Sequence, residues 1–321
     1  MSEKDDVTWS LTESDPAVFS LLLGQLGVIG SQVEELWSLE SEALDRIKPV
    51  YALIFLFKYL ESHRSDPSKL SGKPEQLPDG SWFSYQVVNN ACATLAILNA
   101  VMNISSTSNH NDKARDEDED HVFELGEELK NLKSFSIGLD PQTIVHNSFS
   151  RPDPFQRDRS NLSKSSEEAY HFITYVPIQG QLFELDGLNN TPICHGKVLN
   201  DDWLDLTRGV IESRIKTFSN SEVNFNLMAI CGDRLKVLEK QRLRMISESD
   251  VGIGQEGFNE RLDEIDQSIE QKIVKRKRWS EEVLIRRHNH IGFIHNFMIS
   301  LAKSKKLKER IEVAKIQNGR I

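Results

Sequence analysis

The longest continuous apolar run in the chain, Val50-Tyr-Ala-Leu-Ile-Phe-Leu-Phe57, is rich in aromatic and branched residues and predicts a buried central strand. Asn90 to Met102 is made of helix formers and is apolar nearly all round, which predicts a buried helix. An earlier helix opens at Thr12-Glu-Ser-Asp-Pro16, where Ser14 or Asp15 can cap and Pro16 suits the first turn. Helical spacing resumes over 121–135 and near 141–147. His171 to Leu188 reads as a hairpin turning at Gln179-Gly180, Trp203 to Lys216 as a helix and Val223 to Ile230 as a strand. Polar stretches at 62–80, 103–120 and 151–168 read as loops. Strands alternating with helices predict an α/β body over 7–233. The pattern changes after Asp233. Arg234 to Ile246 is helical, 247–257 is a linker or turn, and Phe258, Leu262, Ile265, Ile269 and Ile273 mark a long amphipathic helix. A last helix carries Phe293, Ile294, Phe297, Met298 and Leu301. This 234–321 extension is too narrow to bury both apolar faces by itself, so it either folds back on the body or takes a partner.

Composition narrows the class. Hydrophobic residues make up 38% and charged residues 27% of 321, as in a soluble globular protein. The apolar run at 50–57 is far too short to span a bilayer, and the acidic N-terminus has no apolar h-region, so neither membrane insertion nor secretion is expected. Three cysteines, Cys92, Cys194 and Cys231, argue against a disulfide framework and for a reducing compartment. Asn103-Ile-Ser105 matches the glycosylation pattern and carries little weight without a secretory signal. Net charge is −10, divided between a basic stretch from Gln271 onward, with 14 Lys/Arg against 4 Asp/Glu, and an acidic remainder. An acidic body steers basic substrates, although solubility alone accounts for it. Lys275-Arg-Lys-Arg278 fits a nuclear address or a nucleic-acid contact, but such a cluster is more often a solvated helix face, and no nucleic acid is expected. No metal or cofactor is expected either: His288 and His290 do not share a helix face, and the chain has no Cys-x-x-Cys, P-loop or G-x-G-x-x-G.

Candidate chemistry centres on Cys92. A thiol in the first turn of a helix feels the positive end of the helix dipole, which favours thiolate. By position alone an inert core cysteine is the commoner case. If Gln179-Gly180 is a two-residue turn, cross-strand partners sum to 359. His171 then faces Leu188, Asp186 faces Ile173, and His171 and Asp186 are diagonal neighbours on one face. Asp186 could then orient the imidazole while the other ring nitrogen serves a thiol. Taken singly, a strand-end His and a turn Asp are ordinary features. Gln86, six residues before Cys92, could donate to a developing oxyanion, and could equally be a surface glutamine.

These residues carry a resemblance. Gln86-Val-Val-Asn-Asn-Ala-Cys-Ala-Thr94 resembles the nucleophile segment of the ubiquitin carboxyl-terminal hydrolase family. His171-Phe-Ile-Thr-Tyr-Val176 and Leu185-Asp-Gly-Leu188 resemble its base and orienter segments. Trp9 to Phe19, Gln32 to Glu40 and Phe225 to Ile230 resemble its terminal segments. The likeness spans about 7–233. The helical extension, with Arg286-Arg-His-Asn289 before an apolar helix, resembles the family's long, proteasome-associated branch. The resemblance implies a papain-like helix-sheet-helix body with a knotted backbone, a crossover loop near 147–169, and cleavage after the C-terminal glycine of ubiquitin. The ubiquitin tail, with its arginines and two final glycines, would thread a narrow groove. Carried over by position, Cys92 is the nucleophile, His171 the base then acid, Asp186 the orienter and Gln86 an oxyanion donor. The extension implies docking on a ubiquitin receptor of the proteasome regulatory particle, with a related partner in a chromatin-remodelling complex, and a cytoplasmic and nuclear location. The branch's longer, Lys-rich tail has no counterpart in this sequence.

Overall fold

The computed structural model describes residues 12–59, 72–86, 91–104, 123–135, 169–198, 202–217, 225–247, 255–288, 291–304, 306, 308 and 310–313. The helix expected near 141–147, the crossover loop, the 151–168 loop and most of the 247–257 linker lie outside them. Among the described residues seven strands form one sheet: β1 (Ser31–Glu35), β2 (Val50–Tyr59), β3 (Lys73–Pro74), β4 (Ala169–Ile178), β5 (Gln181–Leu185), β6 (Ile193–Lys197) and β7 (Phe225–Gly232). They lie in the order β1-β7-β2-β4-β5-β6-β3, and neighbours run antiparallel.

The apolar run predicted as a central strand is β2, flanked by β7 and β4. Its side chains alternate between two cores. Ala52 and Ile54 join the core under helices α1 (Pro16–Gln25), α3 (Cys92–Val101) and α4 (Glu127–Phe135). Leu53, Phe55 and Phe57 join the core on the other face, under α2 (Ser41–Asp45) and α5 (Trp203–Thr217). Helices on both faces make the body a helix-sheet-helix layer structure. Asp15 caps α1, its Oδ1 accepting from Ala17 N at 2.8 Å, with Pro16 at the first position. Helix α4 starts later than the periodicity suggests. Residues 123–126 lie before the helix, Glu124 bridges Ile29, and a Cβ on Gly126 would come within 2.9 Å of the Gly27 carbonyl.

After β7 the chain continues as α6 (Arg234–Ser247), α7 (Gln255–Arg287) and α8 (Ile291–Lys303). Of the two outcomes left open for the extension, α7 folds back on the body. Val283 is buried in the core that contains α1, and Trp279 packs on the same core. Polar contacts fix the approach. Lys272 and Lys275 reach Glu34 of β1 at 3.1 and 2.5 Å, Arg276 pairs with Asp233, and Arg286 reaches the α1 cap Asp15 at 2.8 Å. The Lys275–Arg278 cluster is therefore half spent on the body. Lys277 and Arg278 stay exposed, the latter paired with Glu282. Helix α8 presents Phe293, Ile294, Phe297 and Met298 to solvent.

Candidate active site

Cys92 opens α3, whose remaining residues, Ala93 to Val101, are buried. The helix lies on β4 and is tied to it where Thr174 Oγ1 donates to Ala96 O at 2.7 Å. That bond joins the helix of Cys92 to the strand of His171 close to both residues. The hairpin takes the expected register, Thr174 pairing Leu185 and Tyr175 pairing Glu184. Gln179 and Gly180 both have positive φ, 48° and 75°, as a two-residue hairpin turn of the right twist requires.

The ladder stops at Thr174–Leu185, however, so His171 does not face Leu188 nor Asp186 face Ile173. The carboxylate of Asp186 explains the departure. Its Oδ1 accepts from Leu188 N at 2.8 Å and its carbonyl from Asn189 N at 3.0 Å, which turns the chain away from β4. The same turn brings Asp186 Oδ1 to 2.6 Å from His171 Nε2, while Asn189 Nδ2 donates to Oδ2 at 3.2 Å. The juxtaposition expected from spacing is present, reached by an aspartate-stabilised turn rather than by ladder pairing.

His171 is buried, with the Phe57 ring edge-on at 6.0 Å between centroids. Its hydrogen bond to Asp186 uses Nε2, and Cys92 acts on the same imidazole. Burial by itself pulls the imidazole pKa down. The hydrogen bonds to Asp186 and Cys92 and their negative charge outweigh burial and raise it to about 9. A proton therefore stays on His171 at neutral pH. The other cysteines are poorer nucleophiles, since burial pushes the Cys231 thiol up to about 12 and raises that of Cys194.

Gln86 approaches the same place from the 81–86 segment. Its backbone N–H donates to Gly187 O at 2.6 Å, joining it to the Asp186 turn. Its side-chain Oε1 is buried with no hydrogen-bond partner among the described residues. All four residues singled out from the sequence thus converge: Cys92 and Asp186 on His171, and Gln86 on the turn that carries Asp186. No group of three or more His, Cys, Asp or Glu suited to a metal occurs among the described residues.

Sequence reasoning passed over the support behind the orienting turn. Glu184, two residues before Asp186, is fully buried between Arg214 of α5 at 2.6 Å and His195 of β6 at 3.0 Å. Burial raises its pKa, but Arg214 and His195 prevail and hold it at about 2. The Arg214 guanidinium also sits 5.5 Å over the Phe57 ring that abuts His171. A charged residue facing inward on a hairpin was the available signal.

The model of ubiquitin carboxyl-terminal hydrolase family 1 matches residues 9–216, and a second model described as ubiquitin carboxyl-terminal hydrolases matches 262–307. The chain is 32% identical to ubiquitin carboxyl-terminal hydrolase isozyme L5 of Dictyostelium discoideum, over 99% of this chain and 97% of that protein. It is 35% identical to ubiquitin carboxyl-terminal hydrolase ubh-4 of Caenorhabditis elegans, over 94% and 90% respectively. The crystal structure of Trichinella spiralis UCH37 bound to ubiquitin vinyl methyl ester superposes with a TM-score of 0.61 at 30% identity, covering 84% of this chain and 99% of that one.

Proposed function

The chain belongs to the ubiquitin carboxyl-terminal hydrolase family, as a cysteine-dependent deubiquitinase with a C-terminal extension, and on that premise we propose that Cys92, His171, Asp186 and Gln86 cleave the bond after ubiquitin's C-terminal glycine. The observation that carries this assignment is the buried His171, bonded through Nε2 to Asp186 at 2.6 Å and close enough to Cys92 for the thiol to act on its ring. Nucleophile, base and orienter then act in the order Cys92, His171, Asp186.

In this mechanism Cys92 Sγ, as thiolate, attacks the carbonyl of the terminal glycine. The developing oxyanion takes hydrogen bonds from the Gln86 side-chain amide and the Cys92 backbone N–H. Protonated His171 gives its proton to the leaving amine, the C–N bond breaks, and a thioester remains. Acylation removes the charge and hydrogen bond of Cys92, two of the causes that raise the His171 pKa, while Asp186 still fixes the ring. The neutral imidazole is then a competent base. It takes a proton from water, whose oxygen attacks the thioester, and Cys92 leaves as thiolate.

We further propose that the exposed apolar face of α8 docks on a ubiquitin receptor of the proteasome regulatory particle, or a related partner in a chromatin-remodelling complex, in cytoplasm and nucleus. Its support is Phe293 and Phe297, stacked at 6.1 Å and more than half exposed.

Covalent labelling by ubiquitin bearing a C-terminal electrophile tests the catalytic assignment. Wild type should be labelled at Cys92 and Cys92→Ala should not, while the variant still binds ubiquitin. Turnover retained by Cys92→Ala would overturn it.

A further inference from the structure

The segment that delivers Gln86 runs alongside α3 and is held there by two asparagines of that helix and its end. Asn99 Oδ1 accepts from Ser84 N at 3.0 Å and Asn99 Nδ2 donates to Ser84 O at 3.2 Å. One turn on, Asn103 Oδ1 accepts from Trp82 N at 2.8 Å and Nδ2 donates to Trp82 O at 2.7 Å. Each primary amide thus closes a two-point clamp on one peptide residue, as a neighbouring strand would. Four helical residues rise about 6 Å, and two extended residues advance about 6.6 Å, so the spacings match. The pairing also has a direction: as the segment goes from Trp82 to Ser84, the helix goes from Asn103 back to Asn99. Its next same-side residue is Gln86, and the next position on the helix face is Leu95 or Ala96, one turn short of Cys92.

The surroundings of Gly187 bear this out. A Cβ there would lie 3.5 Å from Gln86 Cβ and 3.6 Å from Leu95 Cδ1, so Gln86 and Leu95 flank the same point. The Gln86 N–H bond to Gly187 O closes the frame on the Asp186 side. Asn99 is buried in a helix whose other buried residues, Thr94 apart, are apolar, an expensive place for an amide whose only described side-chain bonds are to Ser84.

We infer that Asn99 and Asn103 are positioning residues for the oxyanion donor, setting the register of the 82–86 segment on α3 and so the height of Gln86 above Cys92. The inference rests on the reading of Gln86 as that donor. It requires no change in the thiol itself, because Asn99 lies two turns from Cys92 and acts on the other segment.

Hydrolysis of a ubiquitin–fluorophore conjugate tests it in two backgrounds. Asn99→Ala should lower kcat about 10- to 100-fold with KM held within about threefold, the scale of a misplaced reacting group. Gln86→Ala should itself cost about 10²- to 10³-fold. Adding Asn99→Ala to it should then cost less than about twofold more, since there is no donor left to misplace. Alkylation of Cys92 by iodoacetamide should stay at the wild-type rate throughout. If Asn99→Ala does not fold, the half-buried Asn103→Ala decides, with a smaller loss of kcat that likewise vanishes beside Gln86→Ala. Equal losses in both backgrounds, or full turnover in the clamp variants, would overturn the positioning role while leaving Gln86 as donor. Full activity in Gln86→Ala would overturn the donor reading and the clamp with it.

Discussion

At the scale of single residues, the state of His171 is the property most open to measurement. Its pKa is held at about 9, against an ordinary 6.5, by Asp186 and Cys92 acting against burial. Asp186→Asn removes the stronger of the two partners and should lower the pKa, and Cys92→Ala should lower it less; ring-carbon NMR titration reads both. A raised histidine pKa contributes stability that is complete below about 6.5 and is lost as pH rises through about 9. Wild type should therefore lose stability relative to Asp186→Asn across that window, and a constant difference would refute the coupling. The proposed catalytic residues stood out by type and spacing, and only the family resemblance raised them above an ordinary core cysteine, strand-end histidine and turn aspartate. Asn99 did not stand out, because a helix apolar nearly all round reads as core, nor did Asn103, which opens a polar stretch that reads as a loop; the meaning of both depends on a segment fifteen to twenty-one positions earlier. The signal was there to use: one asparagine inside an apolar helix, where asparagine is a poor helix former unless its amide has work elsewhere, and a second four residues on, just past the helix end.

Among the elements, local pairing was readable and long-range docking was not. The β4–β5 register followed from one turn, Gln179-Gly180, because hairpin geometry is set by neighbours in sequence. The end of that ladder did not, since it depends on one carboxylate choosing a backbone N–H over continued pairing. The seat of α7 depends on Glu34, contributed by a strand more than 200 residues earlier. Burial raises the pKa of Glu34, but Lys275 and Lys272 together lower it below 4.5. A lowered carboxylate contributes stability that is present above about 4.5 and is lost as pH falls through the lower folded value. Glu34→Gln at pH 7 should cost about 1–3 kcal/mol, the range for a charge-assisted bond to a mostly buried group. Thermal melts at pH 7 should show the loss, and the gap from wild type should close under acid. A gap independent of pH would mean that packing, not the ion pairs, seats the helix.

For the whole molecule, the order β1-β7-β2-β4-β5-β6-β3 places the first strand beside the last, a pairing that no local pattern announces. The charge asymmetry was visible in the sequence, and the structure gives it a use: basic residues of α7 meet Glu34, Asp233, Glu13 and Asp15 of the acidic body. The boundary near residue 233 marks a change in sequence pattern, but packing runs across it. Val283 and Trp279 complete a core that also holds Phe19 and Leu22 of α1 and Ala93 and Ile97 of α3, the helix that Cys92 opens. A chain ending after Ser247 would leave that surface uncovered. Burying a Val and part of a Trp is worth about 2–4 kcal/mol by area, and each kcal/mol moves the midpoint of a domain this size by about 2–4 °C. The shortened chain should therefore melt about 4–16 °C below the full one. It should keep labelling of Cys92 at temperatures well below its own transition, because no residue of the proposed site comes from α7. A shortened chain with an unchanged midpoint would show that α7 only rests on the body. One that melts lower and cannot be labelled even when cold would show that α7 also holds α3 in its active position.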